Sequence, residues 1–514
     1  MKKGLKLLCI AVLAMTMALG MAMGAYAGGA EGDVDTSTLR VLTDTDGSGV
    51  IGAPWKMSAN GAKVLTPCID TLVKMDTDCT IYPCLAESWE LADDKSSITF
   101  KLREDVAFTD GTPFNADAVV WNLNQWKDGG QVGMCYSWAN IEAVDEYTVK
   151  IDLMYYQNTV LTGFTEAFLG FISPTAAEEN GTEWCESNIV STGPFVLDSL
   201  NPGVGWSYVK NENYWGEEPK LDRIEFTYVG DKNTMKLMML NGEADLITWD
   251  SSGDAEVKNE LIANGFELIG YANGSEPTCL YFDSKDPESP FAIKEVREAV
   301  DYALNKEALA AIGEGLWVAT YQMVGPDSQL YDETLVREYD PEKAKALLAE
   351  AGFPDGFSTQ MIVEETADHS MFTAMAAMLE MVGIKCDLQI TPTAQMFGMA
   401  MGGWSGMMEL PCPVAPNYSD SAYSFLGKNG PVAVSLNTTD EMEALLQQAS
   451  GCELGEEQHA VIKDFLKVVF DDVDVIPVIV ATGTVGIKAP YVHDDGWGSL
   501  TQGYWTPGLC YIEK

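Results

Sequence analysis

Histidine and positive charge are scarce in this chain. Its 514 residues include three histidines, His369, His459 and His493, and 31 lysines and arginines against 77 aspartates and glutamates, for a formal net charge of −46. Imidazole-dependent catalysis would have to use one of three scattered side chains. So electronegative a field repels phosphate backbones and anionic lipid surfaces, so neither nucleic-acid nor membrane-surface binding is expected. A cationic ligand does not follow from the net charge, because acidic surface mostly serves solubility. Enzyme signatures are missing too. There is no His-Glu-x-x-His, no Walker loop and no dinucleotide fingerprint, and Gly403-Trp404-Ser405-Gly406 lacks the second glycine of a Gly-x-Ser-x-Gly elbow. Acid pairs such as Asp93-Asp94 and Asp471-Asp472 read as solvated surface.

Long apolar runs are confined to the start of the chain. Lys2, Lys3 and Lys6 precede a run from Leu7 to Met23, and Ala25-Tyr26-Ala27 follows it. This reads as a secretory signal over residues 1–27, cut before Gly28, and the run is short for a membrane anchor. Cys9 does not follow the run, so a lipid anchor is not supported. The mature chain would hold 28 basic residues against 77 acids, a net charge of −49, and would be soluble outside the cytoplasm. Its ten cysteines show no Cys-x-x-Cys pair and no zinc-ligand grouping. Cys79 and Cys84 are the one close pair, compatible equally with a small bridge and with two free thiols.

The length supports two sizeable lobes, and 46% hydrophobic residues mark a globular chain. Residues 28–37 read as a flexible leader. Strand-like alternation at Tyr147-Val149-Ile151-Leu153 and Ile224-Phe226-Tyr228 is mixed with helical segments such as Thr234 to Leu240, an α/β pattern. Between Asp340 and Gly352 an Asp N-cap, a Pro at the first helical position, an apolar face of Ala344, Leu347, Leu348 and Ala351, and a terminal Gly predict a core helix. Val296, Ala299, Val300, Ala303 and Leu304 predict another. Asp44-Thr45-Asp46-Gly47-Ser48-Gly49-Val50-Ile51 matches the first eight positions of an EF-hand calcium loop. The twelfth position is Trp55 instead of Glu, and Leu39 to Leu42 reads as a strand where a helix should enter, so no metal site is expected.

One stretch carries more information than composition. In it Leu85-Ala86-Glu87-Ser88-Trp89 is followed by Phe100-Lys101-Leu102-Arg103 and then by Phe108-Thr109-Asp110-Gly111-Thr112-Pro113-Phe114-Asn115-Ala116-Asp117. Ile98, Phe100 and Leu102 would share one strand face, Asp110-Gly111 would turn, and a helix would start at Asn115. Downstream come Ser191-Thr192-Gly193-Pro194-Phe195, Asn211-Glu212-Asn213-Tyr214-Trp215-Gly216, Leu221-Asp222-Arg223-Ile224 and Asn241-Gly242-Glu243-Ala244-Asp245-Leu246. Val296 to Lys306 and Tyr339 to Leu348 complete the series. Taken in order, these motifs resemble those of the family 5 extracellular solute-binding proteins, the dipeptide, oligopeptide and nickel receptors of ABC importers.

That resemblance implies a type II periplasmic-binding-protein-like fold, two α/β lobes with a subdomain inserted in the first. Lobe one would be 38–275 plus 480–514, the insert about 80–185, and lobe two 276–479, with crossings near Tyr271 to Asp283 and Ile476 to Gly486. It implies a monomer, periplasmic or extracellular, that captures a small, peptide-like ligand and hands it to an ABC permease, with no cofactor and no chemistry. A metal chelate or glycan as ligand, or presentation to a sensor, are the alternatives; a secreted hydrolase would need a nucleophile and base that are not found. By position in the family, Trp55, Tyr136, Trp138 and Trp404 would offer stacking surfaces near the cleft, and Asp46, Glu409, Asn417 and Tyr418 polar contacts. Peptide-binding relatives often place Trp-x-x-Asp after a lobe-two strand, the Asp holding the ligand ammonium. Here Cys412 and Ala415 stand in those places, leaving Glu409 or Asp46 to compensate.

Overall fold

The computed structural model describes residues 35–513 apart from 57–58, 76–79, 130–134, 136, 166–168, 249–254, 271–276, 366, 413–416, 482–483 and 495–508. Two mixed sheets organise it. The first has seven strands in the order Glu267–Gly270, Thr484–Lys488, Leu246–Thr248, Thr38–Thr43, Arg223–Tyr228, Gly205–Lys210, Phe195–Asn201. Its middle is parallel, with Thr38–Thr43 flanked in register by Arg223–Tyr228 and Leu246–Thr248. The second has six strands in the order Trp317–Ala319, Val475–Ala481, Pro277–Phe282, Met407–Pro411, Phe357–Glu364, Ile384–Thr391, of which the last three run parallel. The chain leaves the first sheet after Gly270 and joins the second at Pro277; it leaves the second after Ala481 and rejoins the first at Thr484.

A separate four-stranded antiparallel sheet, Ala86–Leu91, Ser97–Leu102, Thr148–Leu153 and Trp138–Asp145, packs on the helix Ala116–Gly129. Period-two alternation places Ile98, Phe100 and Leu102 on its fully buried face, as the sequence predicts. Asp110 makes the predicted turn: its Oδ1 accepts from the Thr112 amide at 2.9 Å, Gly111 takes φ +83°, and Asn115 Oδ1 caps the helix by accepting from the Ala118 amide at 3.0 Å. The Asp340 carboxylate likewise caps Pro341–Glu350 through the Lys343 amide at 2.9 Å, with Ala344 and Leu348 buried.

The recurrent motifs act as clamps between distant segments. Asp70 is buried and accepts from the Trp215 indole at 3.0 Å and the Tyr214 hydroxyl at 3.4 Å. Asn211 donates to the Gly193 carbonyl at 2.9 Å, and a Cβ on Gly193 would sit 2.2 Å from the Cys68 carbonyl carbon, so only glycine fits there. Asp245 takes the Arg40 guanidinium at 2.8 and 2.9 Å, tying two neighbouring strands of the first sheet. Asp301 pairs with Lys306 at 2.9 Å and Arg337 at 2.6 Å. No helix among the described residues is long and apolar enough to cross a membrane.

Candidate functional site

Ligands of open α/β sheets bind outside the carboxyl ends of the parallel strands. In the first sheet the central strand ends at Thr43 and runs into the loop that holds Asp46; in the second, Phe357–Glu364 and Met407–Pro411 end side by side, bringing Glu364 and Glu409 to one end of the sheet. Asp46 is half-buried, and its Oδ1 accepts from the Ser48 hydroxyl at 2.7 Å and the Ser48 amide at 2.9 Å. Those two bonds hold its carboxyl below the usual carboxylate range. Asp44 pairs with Lys232. Two oxygens that an EF-hand loop would offer are thus engaged within the protein, and no group of three or more His, Cys, Asp or Glu among the described residues is placed to hold a metal ion.

Glu409 is in the opposite condition. The residue is 7% exposed, and its Oε2 has no hydrogen-bond partner among the described residues. Burial pushes its carboxyl up to about 7, and the neighbouring Glu364 adds to the rise. Glu364 itself accepts from the Thr393 hydroxyl.

The aromatic candidates are packed more deeply than a stacking surface requires. Trp55 lies edge-on to Trp121 with centroids 5.6 Å apart, and Trp138 stacks on Phe164 at 5.7 Å and 4°; both belong to the core of the four-stranded sheet. Trp404 and Tyr418 share a core in the second sheet, where the Tyr418 hydroxyl reaches the Met323 carbonyl at 3.3 Å. Polar edges remain available all the same: the indole N–H groups of Trp138 and Trp404 are buried without a partner among the described residues. Tyr136 lies outside the described residues, as does Ala415. Cys412 is buried, and its amide donates to the Pro277 carbonyl at 3.1 Å.

Asn417 joins parts of the chain far apart in sequence. Its amide donates to Asn158 Oδ1 at 2.9 Å and to the Thr162 hydroxyl at 3.4 Å, and its own Oδ1 accepts from Ser419 at 2.7 Å and Gln458 at 2.7 Å. Asn158 donates in turn to the Ala449 carbonyl at 2.8 Å and the Cys452 carbonyl at 3.2 Å. Every member of this network is buried. Phe164, on which Trp138 stacks, follows Asn158 by six residues, so Trp138 and Asn417 converge on one short segment. Reading the sequence missed Asn158, Gln458, Ser419 and Glu364. The partners of Asn417 are up to 259 residues away, and no local pattern announces them.

Comparison with known proteins gives a consistent answer. Glutathione-binding protein GsiB of Shigella flexneri is 33% identical over 341 residues, covering 63% of this chain and 64% of the relative, so the alignment spans somewhat under two thirds of that protein. The protein of the same name from Escherichia coli K12 matches to the same extent. Among solved structures, NikA from Brucella suis in complex with Fe(III)-EDTA superposes with a TM-score of 0.81 at 21% identity, covering 93% of this chain and all of that one. DppA from Helicobacter pylori in complex with the peptide STSA gives 0.77 at 22% identity over 93% of this chain and 98% of that one. These likenesses show the fold, a type II periplasmic-binding-protein architecture. Residues 80–425 match the family described as "Bacterial extracellular solute-binding proteins, family 5 Middle", and the chain belongs to that family.

Proposed function

We propose that the protein captures a small, peptide-like solute outside the cytoplasm by closing two lobes around it, and delivers it to the permease of an ABC importer. In this reading lobe one is 38–275 with 480–514, carrying an insert at about 80–185, and lobe two is 276–479; residues 1–27, outside the described residues, are the export signal. Membership of an extracellular solute-binding family and the relatives named as glutathione-binding proteins support capture without chemistry.

The observation that carries the reading is the buried network through Asn158 and Asn417. On the proposed division, its members lie on different lobes. An amide pair across a mobile junction meets only when the junction is shut and is hydrated when it opens, so its mutual bond belongs to the closed conformer alone. Ligand contacts made only in that conformer then shift the population toward it. The site residues proposed for the solute are Trp55, Tyr136, Trp138 and Trp404 with Asp46, Glu409, Asn417 and Tyr418. Of these, the Trp138 and Trp404 indole N–H groups and Glu409 Oε2 have hydrogen-bonding capacity left unused among the described residues. Native mass spectrometry on gently purified protein tests the capture reading. A bound small molecule of defined mass, released on unfolding and rebinding to the stripped protein, is the expected result; a protein that neither carries nor rebinds any small solute would refute it.

A further inference from the structure

A sheet edge exposes a row of unpaired amides and carbonyls, and proteins blunt such edges with short or bulged strands. The three larger sheets have six edges among the described residues, and five are blunted in this way. Trp317–Ala319 has three residues and Glu267–Gly270 has four, with a shift of register at Ile269. Phe195–Asn201 is irregular between Leu197 and Ser199, Ala86–Leu91 between Ala86 and Ser88, and Trp138–Asp145 at two places. Ile384–Thr391 is the exception. Its eight residues pair with Phe357–Glu364 without interruption, and among the described residues no strand pairs with its other side.

The parallel register fixes which of its backbone groups point outward. The Phe357 amide donates to the Gly383 carbonyl at 3.2 Å and the Glu365 amide to the Thr391 carbonyl at 2.9 Å, so odd-numbered residues turn their amides and carbonyls toward Phe357–Glu364. Ile384, Cys386, Leu388 and Ile390 present theirs to the outside. A second copy that pairs antiparallel across a two-fold axis must set these residues against one another, which leaves few places for the axis. Through Lys385 or Asp387, it would oppose that charge to itself; through Leu388, it would leave the two charges facing Thr391 and Gln389. Through Cys386, it places Lys385 of each copy opposite Asp387 of the other. These are non-hydrogen-bonded pairs, in which cross-strand side chains come closest. Ile384 then meets Leu388, and the half-buried Cys386 meets its own copy. Lys385 and Asp387 are both exposed. Asp387 also lines a hollow of about 460 Å³ with Asp283, Asp286 and Glu288 and no basic side chain among the described residues, so the arriving lysine enters a negative field. We infer that two copies of this chain associate edge to edge through Ile384–Thr391, joining their six-stranded sheets across a two-fold axis at Cys386, in place of the monomer that the family resemblance implies.

Analytical ultracentrifugation of the full mature protein tests this at ~0.15 M salt, where repulsion between two acidic chains is screened beyond about 8 Å and touching pairs are not. The expected result is a monomer–dimer equilibrium at concentrations below about 100 µM. Lys385→Asp sets acid against acid twice across the axis, and Asp387→Lys sets base against base twice. Each should weaken the dimer roughly tenfold or more. Combining the two reversals rebuilds both opposite-charge pairs and should restore association. The single reversals move net charge in opposite directions, so a loss shared by both comes from the pairing. A melting curve confirms that each variant is folded. A wild type that stays monomeric up to that concentration, a dimer that either single reversal leaves unweakened, or a double variant no better than the singles would overturn the inference. Each of these outcomes bears on association alone and leaves the capture reading intact.

Discussion

The side-chain amide of Asn417 donates a 2.9 Å hydrogen bond to Asn158 Oδ1, and neither residue is open to solvent. If the pair closes the proposed junction, its loss is felt by the closed conformer alone, because water satisfies both amides when the lobes part. Asn158→Ala removes that acceptor and the bonds to Ala449 and Cys452. Each buried partner left unsatisfied costs ~1–3 kcal/mol, so solute affinity should fall roughly ten- to hundredfold while each lobe keeps its stability. Paired calorimetry and thermal melting check this. A lowered melting temperature with unchanged affinity would make the contact ordinary packing.

Glu409 should leave a signature in stability without any ligand. Its carboxyl rises from an ordinary 4.5 to about 7 on folding, so between those values the folded protein binds the extra proton. The unfolded state then holds fewer protons, and stability falls as pH rises through this window, by about 3 kcal/mol in all, before levelling above pH 7. Glu409→Gln should lack this contribution and, with no ligand present, be more stable than wild type at pH 8 and little different at pH 4. Denaturant unfolding at both pH values measures the difference; parallel pH profiles for the two proteins would contradict it.

The aromatic candidates divide into ring and N–H effects. Trp138→Ala loses a stacked, fully buried ring and should cost about 3–5 kcal/mol of stability. Trp138→Phe keeps most of the packing and removes the orphaned N–H. If that N–H donates to solute, the Phe variant should lose affinity with a small change in melting temperature, and Trp404→Phe should behave alike. Unchanged affinity in both would remove these residues from the site.

The clamp residues should behave as structure alone. Asp301→Asn leaves Lys306 and Arg337 buried against a neutral group, and breaking a buried pair in this way costs ~3–5 kcal/mol. Binding by the folded fraction should be preserved. Denaturant unfolding together with titration of active protein would show whether affinity also changes, which would link the clamp to the site.

These contrasts explain what could be read from the chain. Local signals were reliable: the Asp110-Gly111 turn, the Asn115 and Asp340 caps and the buried face of Ile98, Phe100 and Leu102 depend on residues a few positions apart. Motifs that reveal the family proved to be clamps between distant segments, Asp245 on Arg40 and Tyr214-Trp215 on Asp70. The site was less legible. Nothing near Asn417 announces Asn158 or Gln458, and nothing near Glu409 announces that no cation among the described residues is folded against it. A missing partner is a property of the packed chain.

Small-angle X-ray scattering on one preparation, with its solute bound and after the solute is stripped, tests closure most directly. Closure predicts a larger radius of gyration for the stripped protein and a return to the compact value when the solute is restored; an identical radius in both states, with release and rebinding confirmed by mass spectrometry, would contradict it.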